Sequence, residues 1–227
     1  MTESELNELK EIEEFNSIGY QYTIMYMARI NSQAEFLFAK VLALRGKVYS
    51  NYEASEIIEA FTIKTICDWE WYAEKMICEC LKRDTSQLSK QLELNLPKTI
   101  SYDECVAYLN GLGYFDLKSA SNLKSIGRKI LTDKKNPFQN ISSESKNNID
   151  DFYSLRNYVA HKSSKSKRTL IKTYSKYKQN EFIEVGDFLL SKTDEGKKTL
   201  DFKILEVLFG SLRSILWNLH IRKCISG

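Results

Sequence analysis

The densest chemistry in the chain lies in one run, Asp150-Asp151-Phe152-Tyr153-Ser154-Leu155-Arg156-Asn157-Tyr158-Val159-Ala160-His161. An arginine offers a planar fork of donors that suits phosphate oxygens, and a histidine near neutrality can take or give a proton. Wound on a helix at about 100° per residue, Phe152, Leu155 and Val159 fall together and predict a core face. Asp150, Ser154, Asn157 and His161 follow at i, i+4, i+7 and i+11 on the opposite side, so His161 is expected to point away from the core. Arg156 lies between the two faces, roughly 140° from His161. A single copy of this helix therefore does not aim both side chains at one spot, and a composite site shared with a second copy is the easier geometry. Asn157 sits one turn before His161, where it can orient the imidazole or a substrate. The helix C-terminus also favours the cationic imidazole.

These residues need a long, uninterrupted helix. One is expected over about 142–161, with Ser142 or Ser143 supplying N-cap oxygens and Pro137 falling in the connector before it. The chain as a whole suits such elements. Its 227 residues hold two prolines and nine glycines, where average usage gives roughly eleven and sixteen. Turn-rich sandwiches, propellers and glycine-rich nucleotide-binding sheets need more. Further helices are expected at 3–15 (short and acidic), at 20–44 with Gly46 as its breaker, and at 54–83 with Ile58, Phe61, Thr65, Trp69, Tyr72, Met76 and Cys80 on one face. Shorter helices follow at 101–110 and 118–131. A last one at 198–223 carries Ile204, Leu208, Leu212, Ile215 and Leu219 in a stripe. The stretch 181–190 reads as a small β-hairpin around Gly186. The fold class is all-α, a helical bundle with that one excursion, and 1–227 reads as a single domain.

The run Arg156-Asn157-Tyr158-Val159-Ala160-His161 resembles the Arg-polar-x3-His motif of the HEPN superfamily, whose members are helical bundles. Many are metal-independent endoribonucleases, found as toxins of toxin–antitoxin pairs and in antiviral or abortive-infection systems. In that family the motif helices of two protomers meet and both copies build one cleft. The resemblance implies that Arg156, Asn157 and His161 are the catalytic residues, that RNA is the substrate, and that the protein is a homodimer needing no metal and no cofactor. It covers six residues closely and about 40–165 loosely. After His161 the chain reads Lys-Ser-Ser-Lys, where relatives often have glycine, and 165–227 has no recognised counterpart.

Charge is distributed unevenly. The total is only +3, yet residues 1–14 hold six glutamates and one lysine, while 162–178 hold seven Lys/Arg and no acid. Lys162, Lys165, Lys167, Arg168, Lys172, Lys176 and Lys178, with Tyr174 and Tyr177 interleaved, form a run that can hold an RNA backbone and stack bases. The plainer reading of that run is a solvated loop. A second reading of the whole chain is a non-catalytic helical module, partnering a nucleotidyltransferase-type antitoxin or a defence complex.

Other constellations carry less. Cys67, Cys78, Cys80, Cys105 and Cys224 lack CxxC spacing, so reduced and mostly buried thiols are expected rather than a zinc site. Glu53, Glu56, Glu59, Asp68, Glu70 and Glu74 lie on helical segments but lack the histidines of a di-iron bundle, and they are expected on solvated faces. The aromatics of Trp69-Glu70-Trp71-Tyr72 read as core, and His220 as a surface residue of the last helix. No signal segment and no membrane-spanning run is present, which predicts a cytoplasmic protein.

Overall fold

The computed structural model describes residues 3–111, 118–132 and 136–190, with side chains inside the first helix given at Thr23 and from Met25 onward. Among these residues the fold is all-α. Eight helices follow in chain order: α1 Glu3–Leu44, α2 Asn51–Leu81, α3 Ser86–Leu92, α4 Tyr102–Gly111, α5 Ala120–Ile130, α6 Ser143–His161, α7 Ser164–Lys176 and α8 Val185–Leu190. The last helix expected at 198–223, with His220, and Cys224 lie outside the described residues. No helix in the described part is long and apolar enough to cross a membrane.

Serine side chains open most of these helices. Ser50 and Glu53 exchange hydrogen bonds at the start of α2: the Ser50 N–H donates to Glu53 Oε2 at 2.8 Å and the Glu53 N–H to Ser50 Oγ at 3.2 Å. Ser101 and Glu104 repeat the pattern at α4. Ser119, Ser142 and Ser163 accept the N–H three residues on at α5, α6 and α7. Each such cap satisfies a donor that the helix itself leaves open, which lets a proline- and glycine-poor chain mark its boundaries. Gly46 does end α1, at φ +72°, and the turn folds back so that the Val48 N–H reaches Leu44 O at 2.9 Å.

Three expectations change. The helices expected at 3–15 and 20–44 are one helix, with Gly19 inside it; one interior glycine costs a helix only about 1 kcal/mol. The residues from 164 to 176 are α7, not a loop. The hairpin expected at 181–190 is not formed: 181–184 is irregular and 185–190 is α8. The physical reason is burial on more than one side. Val185, Gly186, Phe188, Leu189 and Leu190 are all buried, which a strand alternating between core and water would not give.

The chain divides into two compact units. One contains residues 70–141, hence the end of α2 with α3, α4 and α5, and has a core of Tyr72, Met76, Ile77, Leu81, Leu88, Leu109, Leu123, Ile126, Ile130 and Phe138. The other is built from 28–69 and 142–190 within the described residues and holds the motif helix α6. Its core joins Phe38, Val41, Ile58 and Ile66 to Phe152, Leu155, Leu170, Tyr174 and Phe188. The Phe38 and Phe61 rings meet at 5.6 Å, and Tyr174 stacks on Phe188 at 4.0 Å.

Candidate functional site

The local sequence builds the site around the end of α6. Ile149, Phe152, Tyr153, Leu155 and Tyr158 are buried along that helix. Val159, expected in the core face, is only half-buried, and Tyr158 takes the buried place near the helix end. The side opposite the core carries Asp150, Ser154 and Asn157, half-buried, and His161, exposed in the last turn. The helix stops at Lys162, which takes the left-handed conformation (φ 43°) and returns its N–H to Tyr158 O at 2.7 Å. This is the position after His161 where glycine is the usual choice, because a side chain is strained there.

Arg156 and Asn157 are brought together. Arg156 Nη1 donates to Asn157 Oδ1 at 3.0 Å, so the amide carbonyl restrains one arm of the guanidinium. No hydrogen bond joins His161 to either of them among the described residues. The structure thus places a half-buried, restrained guanidinium about 1.4 turns before a solvent-facing imidazole.

Ser163 and Ser166 form a reciprocal cap immediately after Lys162, so α7 starts at once. Its far end is fastened to the middle of α6: the Lys176 ammonium pairs with Asp151 Oδ1, and the Tyr177 hydroxyl donates to Asp151 Oδ2 at 3.3 Å. Burial and the Asp151 charge push the Tyr177 hydroxyl above the ordinary tyrosine range. With a tight turn at one end and this tie at the other, α6 and α7 form an antiparallel helical hairpin.

The helix sorts the basic run into different roles. By helical angle Lys165, Arg168 and Lys172 lie within about 60° of one another, and all three are exposed. Lys162, also exposed, precedes them at the turn. Lys167 points elsewhere: its ammonium sits 3.6 Å from the centre of the Phe182 ring, a cation–π contact. Tyr174 is not available for base stacking. It is 1% exposed, its ring is stacked on Phe188, and its hydroxyl donates to Ile183 O at 3.0 Å. Tyr174 stands at i+4 from Leu170, with Thr173 at i+3, on the buried face of α7, and its place in the basic run concealed this.

One carboxylate expected on a solvated face of α2 is instead buried near the end of α6. Glu59 of α2 is 7% exposed, and its Oε1 accepts the Gly186 N–H at 3.0 Å. Burial raises its pKa above the ordinary 4.5; the Gly186 hydrogen bond and the Lys162 charge oppose this, while Glu56 and Glu184 add to it. Glu184 also accepts from the Tyr158 hydroxyl at 3.4 Å, and Phe182 meets the Tyr158 ring edge-on at 5.5 Å. The signal for Glu59 was present in its spacing. Ser55, Glu59, Thr62, Ile66 and Trp69 alternate by four and three, the register of a buried helical stripe, and all are buried. Among the other acids of α2, Glu53 lies in its cap, Asp68 pairs with Lys64 at 2.5 Å, and Glu74 accepts from the Tyr102 hydroxyl at 2.6 Å. Trp69 and Tyr72 are core residues as expected, while Trp71 is only half-buried.

Comparison of the chain with protein-family models, curated proteins and solved structures finds no match. The functional reading therefore rests on the α6 motif, its surroundings and the chemistry these allow.

Proposed function

We propose that the protein is a metal-independent endoribonuclease of the HEPN type, acting in toxin or defence biology, with Arg156, Asn157 and His161 as its catalytic residues and RNA as its substrate. The observation that carries this reading is the end of α6. There an exposed imidazole follows a guanidinium held by the neighbouring amide at 3.0 Å. His161 takes the proton of a ribose 2′-OH, or gives one to the departing 5′-oxygen. Arg156 offsets the charge that gathers on the phosphate as the 2′-oxygen attacks. Asn157 keeps that guanidinium from swinging freely, which lowers the ordering cost of meeting the phosphate. The product is a 2′,3′-cyclic phosphate and a free 5′-hydroxyl.

Lys165, Arg168 and Lys172 extend the site along α7 as a phosphate-binding stripe, with Lys162 at its head. Because Arg156 and His161 diverge around the helix, the working cleft is shared between two copies of the chain, and the active form is a homodimer.

The experiment is RNA cleavage in EDTA by the wild type, Arg156→Ala and His161→Ala. The wild type is expected to cut and leave cyclic-phosphate ends, with both variants down by about 10²-fold or more. Equal activity of all three, or full dependence on a divalent ion, overturns the assignment. RNA binding without cleavage by the wild type turns the reading to the non-catalytic module.

A further inference from the structure

The α2–α4 seam, in the unit that does not contain α6, brings together four groups with chemistry of their own. On α2, Glu74 and Cys78 are one turn apart; on α4, Tyr102 and Cys105 are three residues apart. These spacings set each pair on one helix face. The rungs match. The Tyr102 hydroxyl donates to Glu74 at 2.6 Å, Lys75 lies 3.6 Å from the centre of the Tyr102 ring, and Cys78 Sγ stands 2.8 Å from Cys105 Sγ. Both cysteines are free thiols and both are 0% exposed.

We propose that Cys78 and Cys105 form a reversible disulfide that clips α4 to α2, made by exchange with a low-molecular-weight disulfide. The two sulfurs already face each other, so the bond needs only a small closure of the seam and no rearrangement of the helices. The other described cysteines are badly placed for either partner. Cys80 is two residues from Cys78 and projects about 200° away around the helix. Cys67 lies about 16 Å from Cys78 along the axis and is exposed.

The docked seam protects the pair. Its contact with Cys105, together with burial, holds the Cys78 thiol protonated well above the usual thiol range, and an exchange reaction needs a thiolate. Reaction therefore passes through a local opening of α4, a ten-residue helix whose buried side chains are Cys105 and Leu109. Elements with so few buried groups open at less cost than the whole molecule. In the opened state the Cys105 thiol loses its proton to water and its sulfur attacks one sulfur of the small disulfide, expelling one small thiolate. While α4 is still open, the Cys78 thiol also loses its proton to water and its thiolate attacks Cys105 Sγ, expelling the second small thiolate; α4 then redocks with the bond made. The protein gives up two electrons and two protons, and the small disulfide is reduced to two thiols. The bond closes a loop between positions 27 residues apart and restrains the unfolded chain accordingly.

The test uses the full chain incubated with oxidised glutathione, then digested without reductant and read by mass spectrometry. The expected product is a Cys78 peptide joined to a Cys105 peptide, lost on adding dithiothreitol, while Cys67 carries glutathione. Oxidation is also expected to raise the thermal midpoint of the wild type and to leave Cys105→Ser and Cys78→Ala unshifted. The proposal is overturned if Cys78 and Cys105 remain thiols after Cys67 has fully reacted, or if either is joined to a different cysteine. A linked protein whose midpoint does not rise overturns the clip. None of these outcomes depends on RNA cleavage.

Discussion

Asn157 gives its side-chain carbonyl to Arg156, and the motif holds a restrained cation beside an exposed imidazole. The neighbouring Glu59 sets a different condition on the same end of α6. Its carboxylate is buried, its pKa lies above 4.5, and Lys162 is the cation that opposes the rise. The sign of its pH effect follows. A raised folded pKa means that the fold prefers the protonated acid, so its contribution is fully present below the ordinary value of 4.5 and is lost as pH rises through the folded pKa. Glu59→Gln keeps an oxygen for the Gly186 N–H and removes the titration. Chemical denaturation as a function of pH is expected to show the two proteins alike under acid conditions, with the variant gaining on the wild type as pH rises toward neutrality. A gap that narrows with rising pH contradicts the assignment. Arg156, Asn157 and His161 were legible at this scale from residue type and spacing. Glu59 was legible only as part of a buried stripe, because a lone glutamate has no motif and its role comes from an amide 127 positions away.

At the scale of elements, the α6–α7 hairpin turns a run of basic residues into a directed surface. Lys165, Arg168 and Lys172 share one side of α7, Lys167 lies over Phe182, and Lys176 is taken by Asp151. Replacing the three stripe residues together by alanine is expected to lower the salt dependence of single-stranded RNA binding by about 2 in log–log slope, at about 0.7 per lost phosphate contact. Lys167→Ala should change that slope far less; titration of a labelled RNA over a salt series measures both. The other decisive element is α8. A Cβ on Gly186 would stand 2.2 Å from Ser55 Oγ and 2.4 Å from the Ser55 carbonyl oxygen. Backbone cannot yield as a flexible side-chain tip can. Gly186→Ala is expected to cost about 1–3 kcal/mol, read as a lower denaturant midpoint. Gly111→Ala, with nothing within 4 Å of its Cβ, should leave stability unchanged or raise it by up to about 1 kcal/mol. This close approach also explains why 181–190 was misread. Glycine among apolar residues looks like a hairpin in one dimension, whereas its purpose here is contact with a helix more than a hundred residues earlier. The serine caps at 50, 101, 119 and 163 were local signals of the kind already read at Ser142, and they place the starts of α2, α4, α5 and α7.

For the whole molecule, the scarcity of proline and glycine was a sound guide to an all-α fold, because both prolines stand outside the described helices. Pairing between distant segments was not readable in this way. Burial of Tyr174 against Phe188, the meeting of Cys78 with Cys105 and the tie from Asp151 to Lys176 each depend on how helices pack, which periodicity alone leaves open. The same limit applies beyond one chain, where the proposed activity requires two copies of α6. In a symmetric dimer with shared sites, Arg156→Ala and His161→Ala subunits complement each other, since a mixed dimer keeps one site with an intact arginine and an intact histidine.

Mixing the two inactive variants tests that claim most directly. Equal amounts are unfolded and refolded together or co-expressed, and RNA cleavage is followed in EDTA. Random pairing makes half the dimers mixed, each with one working site, so recovery of about a quarter of the wild-type rate is expected. A mixture no more active than either variant alone, beside an active wild type, contradicts a cleft shared between two chains.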